Sequence, residues 1–296
     1  MHDHLTQRLH QLQLFCKHRV DHLLTGQYRS TFKGQGLEFD EVRAYSPGDD
    51  VRTIDWNVTA RSGEVHIKRF HEEREINLIL VVDNSPSFVW SSTDNKRQTV
   101  AAKLCGLLGM SALSSNDRIG LLRFSDTMDS FLPPARGRNQ LMRCLSSVLE
   151  EPKKVSNTCV TESLDHLNQL QLKRSIIVVI SDFFMEGFME HLAMLSHHHE
   201  VIAIAVDDPG ETSLTGGGLM HLRDAETGEA QWLDLANRSL QKVFNRRMDK
   251  RLKDREQAFA QWGVDLVVHH VNDDPAETLL SFFHARKERV EGATGG

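Results

Sequence analysis

The stretch Ile76–Val82, INLILVV, runs straight into Asp83–Ser87, DNSPS. An apolar run this short, closed by turn residues, predicts a central parallel strand covered on both faces. At its mouth stand an acid and two hydroxyls spaced two apart. SIIVVI at 175–180 repeats the arrangement, since it too runs into a hydroxyl and an acid, Ser181 and Asp182.

Working outward, strands and helices alternate. A helix over about 96–114, with Val100, Leu104, Leu107 and Leu108 on one side, leads to the strand IGLLRF at 119–124. An extended piece near Phe131 follows, then helices over 138–149 and 158–170, the strand at 175–180 and a helix over 186–196. The strand VIAIAV at 201–206, the strand VDLVVHHV at 264–271 and a helix over 276–288 complete the series. Such alternation implies right-handed crossovers and an α/β fold built on a doubly wound, mostly parallel sheet with helices on both faces. GLMHLRDAETGEAQWLDL, residues 218–235, reads as a hairpin turning near Glu226-Thr227-Gly228, part of an insertion around 211–235. One long helix with the stripe Leu240, Phe244, Met248, Leu252 and Phe259 comes after it.

Upstream, Leu5, Leu9, Leu12, Cys16, Val20 and Leu23 predict one amphipathic helix over 3–24, closed by Gly26. Residues 28–64 are dense in charge and turn pairs, and predict an ordered, mostly irregular collar with short strands; Val65, Ile67 and Phe70 alternate as a half-buried strand. The expected organisation is an N-terminal helix and polar collar, residues 1–75, packed on an α/β domain of residues 76–290. Within the collar, Arg43, Asp49, Asp50, Arg52, Asp55 and Arg61 suit charge-assisted pairing that holds an irregular chain in shape, and Trp56 suits either a core or an interface.

Composition excludes several classes. Apolar residues are 40%, charged residues 26% and the formal charge is −6, the balance of a globular chain and not of a dedicated nucleic-acid binder. Cys16, Cys105, Cys144 and Cys159 lack paired spacing, which predicts reduced thiols and not zinc or a disulfide framework. The polar N-terminus and the lack of any run of about 18–20 apolar residues predict a cytoplasmic protein. There is no phosphate-binding G-x-x-x-x-G-K-[ST] loop, so any nucleotide hydrolysis belongs to another chain. His197-His198-His199 are consecutive and point in different directions, and His269-His270 read as packing and surface.

In an open α/β sheet, ligands bind outside the carboxyl ends of the strands. Asp83, Ser85 and Ser87 lie at one such end, Asp182 at another, and Thr158 where a loop turns into a helix. Together they supply only oxygen donors, a set suited to Mg²⁺ or Mn²⁺ and unsuited to zinc.

Asp83-Asn84-Ser85-Pro86-Ser87 with Thr158 and Asp182 is similar to the metal-ion-dependent adhesion site (MIDAS) of von Willebrand factor A domains. GLEFDEVRAYSPGDDVRTIDWNVTARSGEVHIKRFHEE, residues 36–73, closely resembles the signature of the DUF58 family, and DAETGE and SFFHAR resemble its C-terminal features. The resemblance implies a von Willebrand A-like fold, with Asp83, Ser85 and Ser87 as first-loop metal ligands, Thr158 as the second-loop hydroxyl and Asp182 as the third-loop acid. It also implies association with a MoxR-type AAA+ ATPase, members often being encoded beside one. The expected function is a non-enzymatic, divalent-metal-dependent protein-binding module, an adaptor or substrate-presenting partner of that ATPase acting on a client protein in assembly or maturation. Two alternatives stay open: metal-assisted hydrolysis, and a metal-free structural or oligomerisation role. The long helix, basic from Arg238 to Arg255, could attract phosphate or an acidic partner, and is equally an ordinary solvated face.

Overall fold

A computed structural model describes residues 2–20, 22–33, 41–46, 54, 56–69, 76–89, 91–125, 128–150, 160–170, 172–185, 187–223 and 230–294. The chain begins with helices α1 (His2–Arg19) and α2 (His22–Lys33), strand β1 (Glu41–Ala44), helix α3 (Trp56–Ser62) and strand β2 (His66–Arg69). It continues with β3 (Asn77–Asp83), α4 (Pro86–Val89), α5 (Arg97–Ser114), β4 (Arg118–Phe124), β5 (Met128–Ala135), α6 (Arg138–Leu149) and α7 (Val160–Gln169). Next come β6 (Ser175–Ser181), α8 (Phe188–Ser196), β7 (Glu200–Asp207) and α9 (Pro209–Thr212). The chain closes with β8 (Leu219–Arg223), β9 (Ala230–Asp234), α10 (Arg238–Trp262), β10 (Asp265–His270) and α11 (Pro275–Thr294).

Six strands form one sheet in the order β10-β7-β6-β3-β4-β5. Every neighbouring pair is parallel except β4 with the edge strand β5. Pro133 and Pro134 sit on that edge, where a missing N–H breaks no interior ladder. From β3 the chain winds first toward β5 and then, from β6, toward β10. The strand order therefore reverses between β3 and β6, as in a von Willebrand A-like doubly wound sheet.

Alternation along β3 decides the layering. Leu78, Leu80 and Val82 pack with α1, α2, α5, α6 and α11 on one face, and Ile79 and Val81 with α7, α8 and α10 on the other. Helix α5 is buried nearly all round, and two glycines let its neighbours in. A Cβ on Gly106 would lie 2.5 Å from Cys16 Sγ of α1, and one on Gly109 would collide with Leu141 Cδ1 of α6. Cys16, Cys105 and Cys144 are buried free thiols, and Cys159 lies outside the described residues.

One expectation changes and two open readings are narrowed. The N-terminal helix is not continuous over 3–24 but breaks near Val20, and Gly26 lies inside α2 instead of ending a helix. Tertiary packing overrides the heptad-like pattern: Tyr28 and Phe32 of α2 turn onto Phe283 of α11, at ring separations of 6.4 and 5.7 Å. The strand through Ile67 joins no part of the main sheet and pairs antiparallel with β1 in a sheet of its own. Trp56 is exposed, so it fills no core within the chain. Asp49, Asp50, Arg52 and Asp55 of the collar and the 226–228 turn of the hairpin fall outside the described residues; the hairpin strands themselves, β8 and β9, pair as expected. Among the described residues no helix is long and apolar enough to cross a membrane.

Leu80, fully buried at the centre of β3, tests the two-sided core. Leu80→Ala should cost about 2–5 kcal/mol in urea unfolding; a loss within ordinary surface scatter would contradict this placement.

Candidate functional site

Because the winding reverses between β3 and β6, the loops after these strands diverge and leave a crevice at their carboxyl ends. Asp83 ends β3 and Asp182 follows β6, so the topology brings the two acids to one place. Both are buried, at 2% and 5% exposure.

The first loop folds back on its own acid. Asp83 Oδ1 accepts the Ser85 N–H at 2.8 Å, and Oδ2 accepts the Ser181 hydroxyl at 2.6 Å. Pro86, with φ fixed and no N–H, opens the short α4. The Ser85 and Ser87 hydroxyls stand 3.1 Å apart, and Ser85 Oγ also accepts the Phe88 N–H at 3.3 Å. Burial, then the nearby Asp182, push the Asp83 carboxyl up to about 7, against the hydrogen bonds from Ser181 and Ser85.

The third loop is held more elaborately. Asp182 Oδ1 accepts the Phe184 N–H at 2.9 Å, and its main-chain carbonyl accepts from Arg255 Nη1 at 2.9 Å. Phe183 between them has φ 56°, a left-handed conformation costly for a bulky side chain. Packing imposes it, since the ring lies 5.3 Å from Phe188 and 5.1 Å from Phe259. Burial raises the Asp182 carboxyl, with the guanidinium of Arg97 the main opposing influence.

Two buried arginines complete the cluster: Arg97, which no sequence motif marks, and Arg255, which is buried and not part of the solvated basic face expected of the long helix. Arg97, 0% exposed at the start of α5, forks onto Glu211 of α9, with Nη1 to Oε1 at 2.9 Å and Nη2 paired to Oε2. The same Nη1 lies 3.8 Å from Asp182 Oδ2 and donates to the Ser87 carbonyl at 3.4 Å. Arg255 forks onto Asp207 with two contacts of 2.8 Å. Beside it, burial pushes the Asp208 carboxyl up, but hydrogen bonds from Ser91, Ser92 and Gly210 outweigh burial and hold it below its ordinary value.

Of the five residues expected to form the site, Asp83, Ser85, Ser87 and Asp182 lie on adjoining loops; Thr158 is outside the described residues. Arg97 carried no signal in the sequence. Arg255 did: it stands seven residues after Met248 and four before Phe259, on the buried stripe of α10, whereas Arg246, Arg247, Lys250 and Arg251 are exposed.

The expectation of Mg²⁺ or Mn²⁺ is corrected. Among the described residues no group of three or more His, Cys, Asp or Glu side chains could hold a metal ion. The donors are also committed elsewhere: both Asp83 oxygens accept internal hydrogen bonds, and Arg97 already stands beside Asp182. At roughly 4 Å and an effective dielectric of about 20, like charges repel by about 4 kcal/mol per unit pair, so a second cation on that carboxylate is opposed.

The family profile described as "Protein of unknown function DUF58" matches residues 41–254. The chain belongs to the DUF58 family. Among its relatives, uncharacterized protein Rv1480 of Mycobacterium tuberculosis and uncharacterized protein Mb1516 of Mycobacterium bovis are each 31% identical over 228 residues, covering 76% of this chain and 72% of theirs. Among solved structures, BatB from Bacteroides thetaiotaomicron is similar at TM-score 0.43 and 18% identity, covering 75% of this chain and all of that one. The SpRpn10 VWA domain is similar at TM-score 0.42 and 12% identity, covering 71% and 95%. The von Willebrand A-like assignment rests on the strand order of this DUF58 chain itself.

Two predictions follow from the charges. Breaking the buried Arg255–Asp207 fork with Arg255→Ala should cost about 3–5 kcal/mol in urea unfolding, while Arg247→Ala, exposed on the same helix, should stay within about 0.5 kcal/mol of wild type. Asp83, raised from 3.8 to about 7, binds its proton more tightly folded than unfolded. Its contribution is therefore complete below about pH 4 and lost as pH rises toward about 7. The stability of wild type relative to Asp83→Asn should fall across that window, and a flat difference would refute the shift.

Proposed function

We propose that this DUF58 chain is a non-catalytic protein-binding module, an adaptor that presents a client protein to a MoxR-type AAA+ ATPase during assembly or maturation. The observation that carries this reading is the tying of three loops at the strand carboxyl ends by buried charge pairs. Arg97 joins the segments after β3, β6 and β7, and Arg255 joins the loop after β6 to the last residue of β7. A surface whose loops are already ordered loses little conformational entropy on docking, so more of its contact energy appears as affinity. The two acids of the cluster serve the same end, since their oxygens accept from the chain's own hydroxyl and N–H groups. The ATPase as partner is supported by family membership, and the client is the protein brought to it.

Direct binding tests the reading. The full chain should bind a MoxR-type AAA+ ATPase of the same organism in a calorimetric titration. Asp94→Arg combined with Ser213→Arg, both exposed on the loops after β3 and β7, should weaken binding at least about tenfold, roughly 1.4 kcal/mol, without moving Tm. Undiminished binding by the double variant would place the interface elsewhere. A hydrolytic turnover that disappears in Asp83→Asn would defeat the non-catalytic reading.

A further inference from the structure

We propose that the Arg97 guanidinium is the resident cation of the loop cluster, holding in place with an organic fork the loops that a divalent ion would otherwise gather. Arg97 heads the fully buried side chains of the described residues by volume. An arginine cannot shed its charge in a protein, so its burial requires that anionic and carbonyl oxygens surround it. They come from three separate loops. The Ser87 carbonyl lies at 3.4 Å, the Asp182 carboxylate at 3.8 Å, and the Glu211 carboxylate accepts both Nη groups, with Nη1 to Oε1 at 2.9 Å.

The contacts divide the work by geometry. The planar fork on Glu211 fixes the orientation of the guanidinium, as bidentate pairs do. In that orientation Nη1 also meets the first loop, at the Ser87 carbonyl, and the third, at Asp182. The hydroxyls of Ser85 and Ser87, which the sequence offers as neutral metal ligands, turn toward each other at 3.1 Å. A guanidinium is part of the chain and present at unit occupancy, so loop geometry becomes independent of divalent concentration. This holds whichever partner the face takes, and the inference can fail without touching the adaptor reading.

The test uses the full chain, stripped of divalent ions with EDTA. It is titrated with Mn²⁺ alone and followed by electron paramagnetic resonance, and its Tm is read in EDTA and in MgCl₂. The free Mn²⁺ signal should be undiminished and the Tm the same in both buffers. Arg97→Gln should lower Tm by about 5–10 °C in both, and Arg97→Lys, which keeps the charge, by clearly less. Stoichiometric loss of the Mn²⁺ signal on the wild type, an unchanged Tm in Arg97→Gln, or a fall as large in Arg97→Lys would overturn the proposal. If Arg97→Gln does not fold, the wild-type Mn²⁺ titration and Arg97→Lys decide it, a lowered Tm in a folded Arg97→Lys supporting the guanidinium and an unchanged one overturning the need for its fork.

Discussion

Burial of β3 on both faces is the constraint on which the rest of this molecule depends. Its side chains alternate between two helical layers, Leu78, Leu80 and Val82 toward one and Ile79 and Val81 toward the other, and all five are essentially excluded from solvent. Such a strand can only lie inside a sheet, with partners on both edges, and it has them in β4 and β6. Because the chain leaves β3 toward one side and returns from β6 toward the other, the crevice falls beside its last residue. That residue is Asp83.

Placing acids at that point creates an electrostatic problem which the surrounding structure solves. Two carboxylates close together in a low-dielectric setting cannot both remain charged without compensation. Here the compensation belongs to the chain and is partial, since burial still holds both carboxyls above their ordinary range: a hydroxyl and an N–H for Asp83, an N–H and a guanidinium for Asp182. A second guanidinium, Arg255, meets Asp207 and the Asp182 carbonyl. The left-handed Phe183 belongs to the same arrangement, since the turn that brings Asp182 to Arg97 also drives the phenyl ring into the aromatic cluster with Phe188 and Phe259. Electrostatics above the sheet and packing beneath it thus fix one loop together.

Much of this is local and therefore readable along the chain. The apolar runs at 76–82, 175–180 and 201–206 became β3, β6 and β7 within a residue or two, because a strand buried on both faces has little choice of composition. Helices α6 and α10 followed their apolar periodicity, whereas α5, expected to be apolar on one side, is buried nearly all round. Legibility failed where a second element supplied the deciding contact. The break near Val20 depends on where α11 places Phe283, and the pairing of β2 depends on β1.

The sequence by itself determined the sheet, its winding and the location of Asp83, Ser85, Ser87 and Asp182 at strand ends, since those follow from apolar period and turn chemistry within short windows. Only the tertiary structure decided what neutralises the acids. Arg97 is 85 residues from Asp182 and 114 from Glu211 in the chain, and no short-range pattern marks a charge whose partners are that remote. Oxygen donors alone suggest a metal ion; whether a cation of the chain already stands among them is a matter of three-dimensional proximity, and here one does.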